Sequence, residues 1–352
     1  LAPVGDRQMG LEGVTARTAK TALGKAAGLL GWLPLAALVP LSLLVGDLPM
    51  MVRYFPLVAS VVVFGMPHGA VDYVALPRVR TGRVDLRGVA EVSVLYLVAG
   101  VGYLALWFVL PVLAAAVFIA LTWFHWGQGD LYALRELFGA DHVDDFTQQA
   151  LTVVVRGGLP MLVPLLGFPN TYRAVVDTFV EPFGGSADGW WLFAARPRLA
   201  LAGIFGTVTI IALARGFARA RDRRRWRFDA AETTFLWVFF MLVPPILAVG
   251  AYFCFWHSVR HIARVVLLDD RSVEDLAGWR WLPPLGRFAL EAAVPTALAL
   301  AFVGGLWWAT GGVETLAGAT GLYLVGIAVL TLPHTVVVSV MDREQSIWSW
   351  PE

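Results

Sequence analysis

The sequence predicts an all-α fold, a polytopic integral membrane helix bundle of about 8–10 membrane helices with a cytoplasmic N-terminus. Three observations predict it. The 352-residue chain is 58% hydrophobic and only 15% charged, with mean hydropathy +0.68; a soluble domain carries about a quarter charged residues. Apolar runs close to the ~20 residues that cross a bilayer recur along the whole chain. Fifteen Trp and 21 Phe suit bilayer interfaces and apolar channels. The net charge of +1 gives no reason to expect nucleic acid, and the single Cys254 excludes an internal disulfide or a thiolate metal cluster.

Residues 1–25 are polar and carry Arg7, Arg17, Lys20 and Lys25. They read as a cytoplasmic lead-in, without a cleavable signal, to a membrane helix that stays in place. The candidate spans follow in order: 27–46, 54–76, 89–108, 110–126, 149–167, 198–214, 233–250, 246–268, 289–309 and 317–340. The apolar stretch 233–268 is too long for one ordinary span. Pro244 and Pro245 remove backbone donors and clash with the preceding turn, so the division falls there. A single embedded domain over 26–345 and a tail at 346–352 complete the layout.

Orientation follows from the positive-inside rule. The N-terminus is basic, and so are Arg78, Arg80, Arg83 and Arg87 after the second span and the block "RGFARARDRRRWR" (215–227) after the sixth. Both internal segments face the cytoplasm if the N-terminus does. The Arg block reads as a topology signal.

Five of six histidines lie in or at the end of apolar spans: His68, His125, His257, His261 and His334. His142, in the polar "GADHVDD", reads as a surface residue. Ionisable side chains inside a bilayer are costly, face the bundle interior and are functional candidates. With the chain divided at the Pro pair, all five imidazoles fall in the cytoplasmic half of the membrane. His257 and His261 stand four apart on one helix face and can share an ion. His68 and His125 complete four nitrogen ligands from three helices. Asp72, four after His68, and Asp130, five after His125, are candidates to orient those imidazoles. All-nitrogen ligation suits iron, copper, zinc or nickel. Trp123, Phe124, Trp126, Tyr252, Phe253, Phe255 and Trp256 crowd the ligands and are candidate walls for an apolar, lipid-soluble substrate. A redox metal beside such a substrate points to oxygen chemistry.

"GMPHGAVDY" (65–73), "FHWGQGD" (124–130), "FWHSVRH" (255–261) and "LPHTVVVSVMD" (332–342) resemble, in order and spacing, the motifs of the Brp/Blh family of bacteriorhodopsin-related membrane proteins, β-carotene 15,15'-dioxygenases. The resemblance runs from about residue 30 to 345. It implies a membrane-embedded catalytic domain and a non-haem Fe(2+) ion held by His68, His125, His257 and His261. It makes His334 either a residue beside the ligands or a ligand in place of one of them. It implies cleavage of β-carotene by O2 into two molecules of retinal, and a microbial rhodopsin as recipient. Two other readings compete: a membrane haem electron carrier with histidine ligands, and a non-catalytic rhodopsin assembly factor.

Overall fold

A computed structural model describes residues 4–46 and 48–349, with side chains from residue 13. The outermost residues of the expected lead-in and tail, 1–3 and 350–352, lie outside the described residues. Among the described residues fifteen α-helices follow in chain order: α1 (Val4–Val45), α2 (Met50–Ser60), α3 (Gly65–Ala70), α4 (Asp72–Thr81), α5 (Leu86–Val109), α6 (Pro111–Tyr132), α7 (Phe146–Gly167), α8 (Pro169–Val180), α9 (Ala195–Arg219), α10 (Arg223–Leu242), α11 (Pro245–Ala251), α12 (Ser258–Val266), α13 (Asp270–Ala277), α14 (Leu282–Ala309) and α15 (Leu316–Glu344). Among the described residues there is no strand. π-helical segments continue α6 over Ala133–Leu137 and join α11 to α12 over Tyr252–His257.

Among the described residues eight helical stretches are long and apolar enough to cross a membrane: Gly13–Val45, Met50–Thr81, Leu86–Val109, Pro111–Leu137, Phe146–Gly167, Ala195–Arg219, Leu282–Ala309 and Leu316–Glu344. The protein is therefore a polytopic membrane helix bundle. The two candidate spans at 233–250 and 246–268 do not meet that measure. The helix covering the first begins at Arg223 in the Arg block and carries Asp229 and Glu232; the second runs on through α11, the π-segment and α12 but turns polar beyond Trp256, with His257, Arg260, His261 and Arg264. The division between them stands where the Pro pair predicts it: α10 ends at Leu242 and Pro245 opens α11. Residues 13–25 belong to the same helix as the apolar stretch that follows them.

Local sequence sets the helix ends. Side chains of Asp85, Asp145, Asp222, Asp269 and Thr315 cap α5, α7, α10, α13 and α15 by accepting early backbone N–H groups. Gly82, at φ 72°, ends α4 in the left-handed region that glycine adopts without strain. Without water to drive helices together, bilayer packing rests on small residues and interhelical polar contacts. The α6–α7 pair shows the first: a Cβ on Gly157 would stand 1.8 Å from the Trp123 carbonyl oxygen, and one on Gly127 2.3 Å from that of Val153. The most enclosed spans are α7 (72% of its apolar window buried) and α15 (61%), which makes them the inner helices. α15 packs on α4, α5, α6, α8 and α14, while α7 packs on α6, α9 and α10.

Candidate metal centre

The four histidine motifs converge. His68 lies in the last turn of α3, His125 on α6, His257 at the end of the π-segment, His261 on α12 and His334 on α15. All five are buried, none more than 7% exposed. His68 stands among the others, with ring centroids 5.0 Å from His334, 5.3 Å from His257 and 5.3 Å from His261. His125 lies 4.7 Å from His257 and 4.6 Å from His334 by the same measure, and its Nε2 is 3.0 Å from His257 Nε2. Glycines in the motifs make room. A Cβ on Gly129 would stand 3.0 Å from His257 Cε1, and one on Gly69 3.3 Å from His334 Nδ1.

Backbone irregularity helps aim the rings. The π-segment inserts extra residues per turn just before His257, a local feature common at functional sites. Its extra width is bridged by Ser258, whose Oγ donates to the Phe253 carbonyl at 2.7 Å. His68 Nδ1 donates to the carbonyl of Gly65. That leaves His68 Nε2 as the acceptor nitrogen.

Two groups of side chains can hold a metal ion, each with its ligand atoms within 4.8 Å of one another: His68, His125 and His257, and Asp72, His261 and His334. The i, i+4 histidines thus fall into different groups. One helical turn separates them along the axis, and each meets imidazoles from other helices. The donor set fits a cation. His125 Nδ1, His261 Nε2 and His334 Nε2 are buried without a hydrogen-bond partner, and such an atom costs about 1–3 kcal/mol when left unsatisfied.

The two aspartates sit differently from the sequence reading. Asp72 does not serve His68: its Oδ2 accepts from His334 Nδ1 at 2.8 Å and from the Tyr96 hydroxyl at 2.6 Å. The cause is Val71, at φ −97° and ψ 6°, which breaks the helix between residues 68 and 72 so that they share no continuous face. Asp130 touches no imidazole. Five residues turn it about 140° around α6 from His125, where it accepts from Arg260 Nη1 at 2.9 Å and Trp256 Nε1 at 3.1 Å.

Asp130 belongs to a buried ionic cluster behind the imidazoles. Arg260 Nη2 also meets Glu232 at 2.5 Å, and Arg156 Nη2 meets Asp229 and Glu232, each at 2.8 Å. His142, expected at the surface, is fully buried (0% exposed) with Nε2 2.9 Å from Asp229 Oδ2. Its "DHVDD" segment is polar because it folds against charged partners on α9 and α10, with Asp144 on Arg219 and Asp145 on Arg215. Tyr96, Arg156, Asp229 and Glu232 escaped the sequence reading. The only signal for them was their position, polar side chains in or beside apolar spans.

An apolar cavity of about 590 Å³ opens against the cluster, with His68, His125 and His334 in its wall. Of the seven aromatic candidates, Trp126 and Phe253 line it. Tyr252 and Trp256 are fully enclosed (0% exposed) behind it, Phe255 packs in the neighbouring core, Trp123 donates to the Val154 carbonyl, and Phe124 is 40% exposed on the outer face. Helical phase explains the split, because consecutive residues on a helix, α or π, point in different directions around its axis and cannot all face one cavity.

A family model described as "Beta-carotene 15,15'-dioxygenase" matches residues 59–342. The chain is 52% identical over 345 residues to "Probable beta-carotene 15,15'-dioxygenase Blh" of Halobacterium salinarum, covering 98% of this chain and 100% of the relative. It is 30% identical to "Probable beta-carotene 15,15'-dioxygenase Brp" of the same species, covering 83% and 84%. A "Beta-carotene 15,15'-dioxygenase" of an uncultured marine bacterium is 22% identical, over 82% of this chain and 94% of that one. No solved structure matches.

Proposed function

The chain belongs to the beta-carotene 15,15'-dioxygenase family, and from that membership we propose that it cleaves the central 15,15' double bond of β-carotene with O2, giving two molecules of all-trans retinal. The observation that carries the reading is the gathering of five imidazoles in and behind the wall of an apolar cavity. The reaction balances without another reactant: the C=C and O=O bonds break, and each carbon of the former double bond takes one oxygen atom.

The proposed ion is Fe(2+), held by His68, His125, His257 and His261, with His334 beside them as a further or alternative ligand. Bound there, ferrous iron supplies the redox chemistry that lets O2 react with a polyene. Asp72 orients His334 through Nδ1 and leaves Nε2 facing inward, the way an outer carboxylate commonly fixes a metal-directed imidazole. Trp126 and Phe253 bound the polyene near the cluster and keep water away from it. Bond choice is a matter of position, since neighbouring double bonds of the polyene are chemically alike. The haem alternative loses support from the 3.0 Å approach of His125 Nε2 to His257 Nε2, which leaves no room for a macrocycle between them.

The same reading sets a single catalytic domain at 26–345 in the cell membrane, with the N-terminus and the metal toward the cytoplasm. Supporting this, the acidic segment at Asp144 and Asp145 meets the Arg block through Arg219 and Arg215, so the loop between the fourth and fifth spans lies beside the block that follows the sixth, as an even number of crossings between them requires. Retinal is the prosthetic group of microbial rhodopsins, which makes one the fitting recipient.

The test replaces His257 and His261 singly with Ala and measures bound iron and retinal formed. Each variant should lose iron and at least ~100-fold in turnover, the upper end of what outer partners alone cost. Full activity in both would remove these residues from the site, and retinal formation by iron-free protein would remove the metal from the reaction.

A further inference from the structure

The wall of the 590 Å³ cavity is sheltered almost everywhere. Among the described lining residues only Ser93 and Leu298 are exposed, Leu298 at 66%. Ser93 stands on α5 and Leu298 on α14. Both helices pack on α15, and neither packs along the other. The space between them is floored by α15, where Ile327, Leu330 and His334 line the cavity. One end is closed by contacts from α4 to α14: Arg78 pairs with Glu291 at 2.6 Å, and Tyr73 donates to the Glu291 carbonyl at 3.1 Å.

The surface around this gap is apolar. Val94, Leu97 and Val98 of α5 are exposed, as are Leu290 and Val294 of α14. In a membrane bundle such a face meets hydrocarbon, so the gap opens to lipid and not to water. We propose that the cleft between α5 and α14, framed by Ser93 and Leu298, is a lateral portal through which a long apolar polyene passes between the bilayer and the cavity. An extended, water-insoluble molecule dissolved in the bilayer needs no aqueous path to reach the cluster by this route. The identity of the occupant rests on the carotenoid-cleavage reading.

Chemical blocking tests the portal. Cys254 is the sole native cysteine and is 1% exposed, so a bulky maleimide labels an introduced thiol selectively. Ser93→Cys and Leu298→Cys proteins, full length in phosphatidylcholine vesicles, are labelled, and labelling is verified by mass. Leu199→Cys, 70% exposed on α9 and outside the cavity lining, is the control. Each unlabelled variant is its own reference. Two readouts are kept separate: uptake of β-carotene, followed by quenching of protein tryptophan fluorescence, and retinal formed. Labelling at 93 or 298 should slow uptake about tenfold, as expected when access limits association, while labelling at 199 leaves it unchanged. Undiminished uptake in fully labelled Ser93→Cys and Leu298→Cys would overturn the portal. Slowed uptake with no retinal from any form would keep the portal and overturn the cleavage reading.

Discussion

The π-segment and α12 present two opposite chemistries from adjacent residues. On one side His257 and His261 meet imidazoles from α3, α6 and α15, and nitrogens there are left without partners. On the other side Arg260 is held by Asp130 and Glu232 and lies 3.9 Å over the Trp256 ring. Both sides are buried. The difference teaches which group of buried polar side chains is mainly structural. Guanidinium and carboxylate neutralise each other and join α6, α7, α10 and α12, whereas the imidazoles face one another with ring nitrogens left unpartnered, which a cation can use.

The largest expected effect breaks the charged side. Arg260→Ala leaves Asp130 and Glu232 short of a partner in the interior and should destabilise the fold by about 3–5 kcal/mol, the range for breaking a buried pair; thermal unfolding in detergent measures it. Arg260→Lys should recover part of that loss, because an ammonium keeps the charge but not the two-pronged contact. On the imidazole side, Asp72→Asn should lower metal affinity ~10–100-fold with little change in unfolding temperature. A large fall in thermal stability with metal affinity intact would erase the contrast between the two sides. Tyr96→Phe removes one hydrogen bond to Asp72, a contact to a charged acceptor worth about 1.5–3 kcal/mol. Titration with ferrous iron should show a smaller loss than for Asp72→Asn.

The smallest effect lies outside both clusters. Asp145 caps α7 through the Gln148 N–H, and Asp145→Ala should cost about 1 kcal/mol of stability. Burial pushes its carboxyl upward, but the Gln148 N–H and the charges of Arg215 and Arg219 outweigh this and hold it below the usual carboxylate range. Its contribution is therefore present above the unfolded value near pH ~4 and is lost as pH falls through the lower folded value. Unfolding of wild type and variant should converge only in strong acid.

Several features were legible because they are one-dimensional. Hydropathy marked the bundle, and Pro244–Pro245 marked the break before the site-bearing helix. The histidine motifs were conspicuous because imidazoles are rare in apolar spans. Partner choice was not legible. Asp72 looked like a neighbour of His68 until the kink at Val71 turned it to His334, 262 residues away. His142 looked exposed because its neighbours are charged, yet those charges are matched from α9 and α10.

The sequence by itself determined the membrane class, the break at Pro244–Pro245 and the set of histidines, since each depends on local composition and backbone chemistry. Only the tertiary structure decided which carboxylate holds which imidazole, that Arg260 is paired, that two of seven aromatics face the cavity, and which helices wall it. Those outcomes depend on how helices far apart in sequence are rotated and packed, and local periodicity states which residues share a face but not what the face meets.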